Sequence, residues 1–198
     1  TDPATAQRLI AQGISLWPDQ GVAWFNLGLA LHQRRRIDGA IRAYRQALVS
    51  QVPPIQEATN NLAQDLLLMG AFEEGWKLYE QRFLRQENAN FGHYSALYGP
   101  PWQGFSDQRP CEHLILVAEQ GLGDTLQFCR LIPLLQNKGM STSLFCPEAL
   151  APLLRASSKI GTVELVLNRQ GPGVRWCPLL SLPERLGLHS GTIPVASG

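Results

Sequence analysis

The chain has 198 residues, of which 44% are hydrophobic and 17% are charged, and its formal net charge is +1. This length is enough for one large domain or for two small ones. The near-neutral charge argues against nucleic acid as a partner, because nucleic-acid binding needs a concentrated basic surface. There is no run of 18 or more apolar residues, so the sequence predicts no membrane span.

The four cysteines all lie in the second half, and no two of them form a C-x-x-C pair. Cysteines scattered in this way are typical of reduced thiols rather than of a disulfide framework. The histidines are scattered as well, so the sequence gives no pattern typical of a metal site. The first residues lack the basic end and apolar stretch of a signal peptide. The sequence therefore predicts a cytoplasmic protein with no metal and no cofactor.

The first 88 residues carry a repeated pattern. Apolar or small residues recur at the i, i+3, i+4, i+7 spacing of amphipathic helices, namely Trp24, Leu27, Gly28, Leu31, Ala40, Tyr44 and Ala47. This is the order of the tetratricopeptide (TPR) repeat, W-x₂-L-G and then A-x₃-F/Y, and Pro53 and Pro54 close the copy. A second copy follows 35 residues later, with Thr59, Leu62, Ala63, Leu66, Gly75, Tyr79 and Arg82 at the matching positions.

These copies predict a TPR α-solenoid, since paired helices bury their apolar faces only by stacking on the next pair. The expected boundaries are a partial repeat over 1–20, which ends near Pro18, and repeats over about 21–55 and 56–88. Because the pattern begins inside a repeat, we expect further sequence upstream of this chain.

Two equivalent asparagines, Asn26 and Asn61, are candidates for peptide binding on the concave face of the array. An asparagine amide both donates and accepts hydrogen bonds, so it can pair with the backbone of any peptide. TPR arrays that resemble this one, notably those of O-linked N-acetylglucosamine transferases, carry such an asparagine ladder. The alternative is that both side chains only bond locally. The basic run Arg34–Arg36 is interpreted as a solvated helix end, where cations are favourable.

Residues 89–112 form an aromatic-rich connector. Gly99-Pro100-Pro101 would break a helix. A freely flexible linker would not carry five aromatic residues, which here are Phe91, Tyr94, Tyr98, Trp102 and Phe105. We expect this segment to pack across the two modules.

Residues 113–198 alternate apolar strands with helices, which predicts a Rossmann-like parallel sheet. The expected strands are 113–118, 142–146, 163–167 and 174–177. The expected helices are 124–138, despite Pro133, and 147–157.

The first loop at the carboxyl end of a strand is the candidate ligand loop. It runs from Glu119 to Gly123, and its glycines are expected to permit positive φ and close approach of a ligand. Asp124 would then open a helix, where a carboxylate can act as a plain N-cap. The loop matches neither G-x-G-x-x-G nor a P-loop.

The stretch from Ala118 to Phe128, which contains Leu-Gly-Asp, resembles the N-terminal domain of heptosyltransferase-like glycosyltransferases. Trp102-x-Gly104 and the run Cys177–Pro183 are similar to segments of bacterial TPR proteins with a glycosyltransferase-like tail. The resemblance covers essentially the whole chain.

The resemblance implies one half of a two-domain (GT-B) enzyme that transfers sugar with inversion and without a metal. It implies that Asp124 is the catalytic base and that the acceptor contacts this domain, with a substrate-binding loop of Glu119, Gln120, Gly121 and Gly123. The partners implied are a sugar acceptor and a nucleotide-sugar donor.

The chain stops at Gly198, so we expect the donor-binding domain to be missing and the chain alone to be inactive. The alternative is a TPR interaction scaffold with a catalytically inactive α/β tail. A hydrolase is disfavoured, because there is no G-x-S-x-G motif and neither His113 nor His189 has an evident nucleophile partner.

Overall fold

The computed structural model describes residues 3–16, 19–50, 55–84, 90–157 and 159–193. The chain forms two compact units, Thr1–Leu84 and Arg85–Gly198. The first is helical, and the second combines helices with a parallel sheet, which confirms the predicted class of an α part followed by an α/β part. Pro18, Pro53, Pro54 and residues 85–89, which belong to the sequence patterns above, lie outside the described residues.

The first unit consists of consecutive helices, each of which packs against the next. They are α1 Pro3–Leu16, α2 Gly21–Gln33, α3 Ile37–Val49, α4 Gln56–Leu68 and α5 Phe72–Tyr79, followed by a short 3₁₀ helix, Glu80–Leu84. The periodic residues of the sequence pattern face the interior, because an amphipathic helix gains stability by burying its apolar stripe. The buried cluster comprises Leu31, Ala40, Ile41, Ala43, Tyr44, Ala47, Ala58, Leu62 and Leu66.

The second unit begins with α6, Asn90–Tyr98, and is built on four strands: β1 His113–Val117, β2 Ser141–Phe145, β3 Thr162–Glu164 and β4 Val174–Pro178. The strand order is β3-β2-β1-β4, and all neighbouring pairs are parallel. The short helices are α7 Leu122–Cys129, α8 Ile132–Gln136, α9 Ala151–Arg155 and α10 Leu182–Arg185, with 3₁₀ turns at Glu148–Leu150 and Leu179–Ser181.

The aromatic segment before β1 covers one face of this sheet. Tyr98 is buried in a cluster with Ile115, Val117 and Trp176, and Phe91 and Tyr94 pack against the same cluster. A hydrogen bond also holds the backbone of this segment against the sheet, because Trp176 Nε1 donates to the carbonyl of Gly99 at 2.8 Å. The segment expected to be a connector therefore supplies a helical layer of the second unit.

Two expected elements differ in the structure. The helix predicted over 124–138 is divided into α7 and α8, because Pro133 lies in the first turn of α8 and has no N–H with which to continue a preceding helix. The strand predicted over 163–167 ends at Glu164. Leu167 instead packs on the aromatic cluster beside α6, so the chain leaves the sheet early on its way to β4.

Candidate functional site

The strand order reverses between β1 and β4, and the sheet edge where these two strands end is named the switch-point crevice. The chain passes from β1 to β2 on one side of β1, and it later returns to β4 on the other side. In open α/β sheets, ligands bind where the strand order reverses, at the carboxyl ends of the strands. Those ends are aligned here, because Val117 of β1 pairs with Pro178 of β4. The loop from Glu119 to Gly123 leaves β1 at this point.

Asp124 is in the first turn of α7 but is not its N-cap. The cap residue is Gly121, whose carbonyl accepts from Thr125 N at 3.1 Å, and the helix begins at Leu122. The plain N-cap interpretation of Asp124 is therefore wrong. Its carboxylate points back toward the loop, because Oδ2 would be 3.6 Å from a Cβ atom added to Gly121. The half-buried Asp124 thus presents a carboxylate at the mouth of the crevice.

The loop glycines provide space rather than unusual backbone angles. Gly121 has φ −58°, and Gly123 is a helical residue that is absent from the positive-φ glycines. The expectation that these two glycines permit positive φ is therefore wrong. A Cβ atom added to Gly123 would meet nothing within 4 Å. Both glycines are exposed, so a ligand can approach the backbone beside Asp124.

Glu119 joins the two loops that border the crevice. Its Oε1 accepts a hydrogen bond from the backbone N–H of Leu180 at 3.1 Å, and Leu180 lies in the 3₁₀ turn Leu179–Ser181 that follows β4. A carboxylate that accepts from a buried backbone N–H holds the loop after β1 to the turn after β4. Gln120, the other predicted substrate-binding side chain, is exposed at the loop tip.

The two candidate peptide-binding asparagines differ in their surroundings. Asn26 is exposed on α2, whereas Asn61 is half-buried on α4 and its side chain is hydrogen-bonded to Tyr44. The adjacent Asn60 is 4% exposed, and neither atom of its amide has a hydrogen-bond partner among the described residues. Only Asn26 therefore presents its amide to solvent as the ladder hypothesis requires.

A buried carboxylate lies close to Tyr44 in the helical unit. Asp65 is 1% exposed, and its Oδ1 is 2.7 Å from His32 Nδ1. Burial raises the pKa of Asp65, and the hydrogen bond from His32 opposes that change. Burial, followed by the charge of Asp65, raises the pKa of Tyr44 to about 12. This cluster links α2, α3 and α4 through polar groups.

His113 contacts the hydroxyl groups of two serines, so the expectation that it lacks a nucleophilic side chain as a partner is wrong. Its Nδ1 is 2.8 Å from Ser141 Oγ, and its Nε2 is 2.9 Å from Ser143 Oγ. Burial, followed by the charge of Arg169, lowers the pKa of His113. The group lies at the first residue of β1, at the opposite end of the sheet from Asp124. The two serine hydroxyls lie on the same face of the sheet and provide hydrogen-bond partners for both nitrogens of the buried imidazole.

A shallow cavity of about 530 Å³ lies elsewhere, beyond the end of β3, and is lined by Glu164, Leu165, Val166, Asn168 and Arg169. None of the predicted site residues lines it. The switch-point crevice remains the better candidate, because it combines a carboxylate, open glycines and the reversal of strand order. Among the described residues, no three His, Cys, Asp or Glu side chains are grouped to hold a metal ion, and no helix has the length and apolarity needed to cross a bilayer.

No known family profile matches the chain. Protein FlbA of Caulobacter vibrioides is 30% identical over 126 residues, which cover 62% of this chain and 20% of FlbA. The chain thus spans about a fifth of the length of this curated relative. A mutant of the Thermobaculum terrenum O-GlcNAc transferase superposes with a TM-score of 0.40 at 19% identity, over 82% of this chain and 37% of that protein. Both likenesses are distant.

Sequence reasoning missed the hydrogen-bond partners of Glu119 and His113 and the burial of Asn60 and Asp65. The hydrogen bond from Leu180 to Glu119 joins residues 61 positions apart, and no local pattern indicates it. The serines beside His113 alternate on β2 at the spacing of one sheet face, which is a signal that could have been used. The burial of Asn60 and Asp65 depends on how neighbouring helices stack, and periodicity alone does not define that arrangement.

Proposed function

We propose that the second unit is the Rossmann-like, acceptor-side domain of a sugar transferase, in which Asp124 is the general base. The observation that carries the proposal is the position of the Asp124 carboxylate. It lies in the first turn after β1, at the reversal of strand order, beside the open backbone of Gly121 and Gly123. The resemblance of the Leu-Gly-Asp loop to heptosyltransferase-like enzymes supports the choice of a sugar as the ligand.

The chemistry requires a carboxylate on the attacking side of the sugar. Asp124 takes the proton of an acceptor hydroxyl while that oxygen forms a bond to the anomeric carbon of the donor. The bond from the anomeric carbon to the leaving diphosphate breaks, and the configuration at that carbon inverts. Glu119 holds the loops after β1 and β4 at a fixed separation through Leu180, so the acceptor meets a preformed site.

The first unit, in this proposal, is a TPR array that binds a protein segment in the cytoplasm. The 35-residue repeat of its sequence and the successive packing of α1 to α5 support this assignment. The exposed Asn26 amide is proposed to contact a peptide backbone. Asn61 contributes to this binding only when its hydrogen bond to Tyr44 breaks. If Asp124 has no catalytic role, this array makes the chain an interaction scaffold, which is the second candidate function.

The test is Asp124→Asn in the polypeptide as its native cell produces it. Release of nucleoside diphosphate from nucleotide sugars should fall roughly 10²–10⁴-fold, which is the usual contribution of a general base. The melting temperature is the control, because asparagine is nearly isosteric with aspartate. Unchanged release in the variant would exclude Asp124 as the base. If no nucleotide sugar is consumed by the unaltered polypeptide, the scaffold is the correct function.

A further inference from the structure

The turn between α2 and α3 and the turn between α4 and α5 have the same hydrogen bonds. In the first, Arg36 N donates to Leu31 O at 2.9 Å and Arg35 N donates to His32 O at 2.8 Å. In the second, Ala71 N donates to Leu66 O at 2.9 Å and Gly70 N donates to Leu67 O at 3.1 Å. These two bonds define the Schellman motif, in which the residue after the helix cap adopts a left-handed conformation.

The left-handed position is occupied by glycine in one turn and by arginine in the other. Gly70 has φ +79° and Arg35 has φ +58°, and Arg35 is the non-glycine residue with positive φ among the described residues. The left-handed region is unfavourable for an L-residue with a Cβ atom, and a long side chain gains nothing there over glycine. The first turn therefore keeps an arginine at a cost in backbone strain, which points to a role for its side chain.

Arg35 is the centre of a compact cationic surface, the arginine turn, which consists of Arg34, Arg35 and Arg36. All three residues are exposed. No ion pair of Arg35 or Arg36 with an acidic side chain occurs within the described part of the chain. A cation near the C-terminal end of α2 is favoured by the helix dipole. Arg34 already provides that cation at the helix cap with a negative φ, so the dipole does not explain why Arg35 occupies the left-handed position.

We propose that the arginine turn docks an acidic segment of a partner protein, with Arg35 as the anchoring side chain. A guanidinium presents a planar pair of donors that matches a carboxylate. An acidic peptide fits better than a nucleic acid, because the cationic surface extends over three residues only and the whole chain has a net charge of +1. This surface lies in the helical unit, and the inference does not depend on the Asp124 site.

The experiment uses a fluorescein-labelled peptide of eight glutamates and measures its fluorescence anisotropy with the whole chain. Arg35→Gly should weaken the peptide Kd about fivefold, as expected for the loss of one exposed ion pair. The same variant should melt about 4 °C higher, because glycine relieves the strained φ. Arg8→Gln, which removes the charge of another exposed arginine in the same unit, should leave the Kd within about twofold of the unaltered chain.

The two readouts separate binding from folding, since the variant that binds less well is the one expected to be more stable. An Arg35→Gly chain that binds the peptide as tightly as the unaltered chain would overturn the proposal. So would failure of the unaltered chain to bind the glutamate peptide. Tighter binding of a single-stranded DNA octamer, or of vesicles containing anionic lipid, would also overturn it, because the partner class would then be wrong.

Discussion

Gly28 lies against the ring of Tyr44, so that a Cβ atom added to Gly28 would be only 2.3 Å from Tyr44 Cε1. This contact joins α2 to α3, and Tyr44 itself is 1% exposed. The helices can approach this closely because Gly28 has no side chain. The residue pattern that predicts the repeat therefore has a direct steric cause at this pair.

Gly28→Ala should lower the free energy of unfolding of the helical unit by about 1–2 kcal/mol. The added methyl group displaces a buried ring, which costs about 1–3 kcal/mol, and the higher helix propensity of alanine offsets part of that loss. Gly13→Ala in α1 is the matched control, because its Cβ would meet nothing within 4 Å. That variant should gain about 0.5–1 kcal/mol. Urea unfolding followed by circular dichroism measures both, and changes of the same sign would contradict the prediction.

The helical unit should lose stability at alkaline pH through Tyr44. Burial, followed by the charge of Asp65, raises the pKa of Tyr44 to about 12. A folded-state pKa above the unfolded value of about 10 means that this contribution is complete below pH 10 and is lost as the pH rises toward 12. Two units of pKa correspond to at most about 3 kcal/mol.

Urea midpoints at pH 8, 10 and 11 measure this loss. Tyr44→Phe cannot ionise at this position, so its midpoint should fall less steeply with pH than that of the unaltered chain. Parallel curves for the two proteins would show that Tyr44 ionises as freely in the folded state as in the unfolded state.

Asp107 should make the second unit sensitive to acid. The side chain of Arg109 bonds the Asp107 carboxylate and also donates to the carbonyls of Pro100 and Pro101 at 3.0 and 2.9 Å. The hydrogen bond from Arg109 holds the pKa of Asp107 well below its usual range. The resulting stability is present above about pH 4 and is lost as the pH falls below that value.

Asp107→Asn tests this assignment, because it removes the charge but keeps the size of the side chain. At pH 7 the variant should be about 1–3 kcal/mol less stable, the usual effect of losing a hydrogen bond to a charged partner. The difference should shrink at pH 3. A difference that stays constant from pH 7 to pH 3 would mean that the Asp107 charge does not support the fold.

Glu119 should stabilise the candidate site through Leu180. Glu119→Ala leaves the N–H of Leu180, a residue that is 2% exposed, without this acceptor. The variant should lose about 1–3 kcal/mol of stability. Glu119→Gln retains a side-chain oxygen that can accept the bond, so it should stay within about 1 kcal/mol of the unaltered chain. Equal losses in the two variants, measured by urea unfolding, would indicate that the carboxylate charge matters rather than the hydrogen bond.

The sequence predicts the structure well where the apolar spacing within one helix or strand determines which of its side chains are buried. The spacing of Trp24, Leu27, Gly28 and Leu31 predicts α2, and the apolar run that begins at His113 predicts β1, because in both cases each side chain's burial follows from its own element. The same local reasoning predicts a candidate ligand loop at the end of β1.

What the sequence could not provide was contact between distant segments. The bond from Leu180 to Glu119 and the packing of α6 on Trp176 arise only when the strands are aligned in space. Asp124 is still a candidate site residue, and the alternative interpretation that it is only an N-cap is wrong, because the cap residue of α7 is Gly121. A capping signal and a catalytic carboxylate look the same in sequence.

The most direct test of the central claim is a ¹⁵N NMR titration of this chain with simple hexoses and heptoses. The proposed site predicts shift changes for residues 119–125 and 179–181, on both sides of the β1–β4 crevice. Gly123→Val should keep the fold, because its Cβ meets nothing within 4 Å, and should abolish the changes by filling the space that the ligand uses. Changes confined to residues 164–169, or none at any sugar concentration, would contradict a sugar site at Asp124.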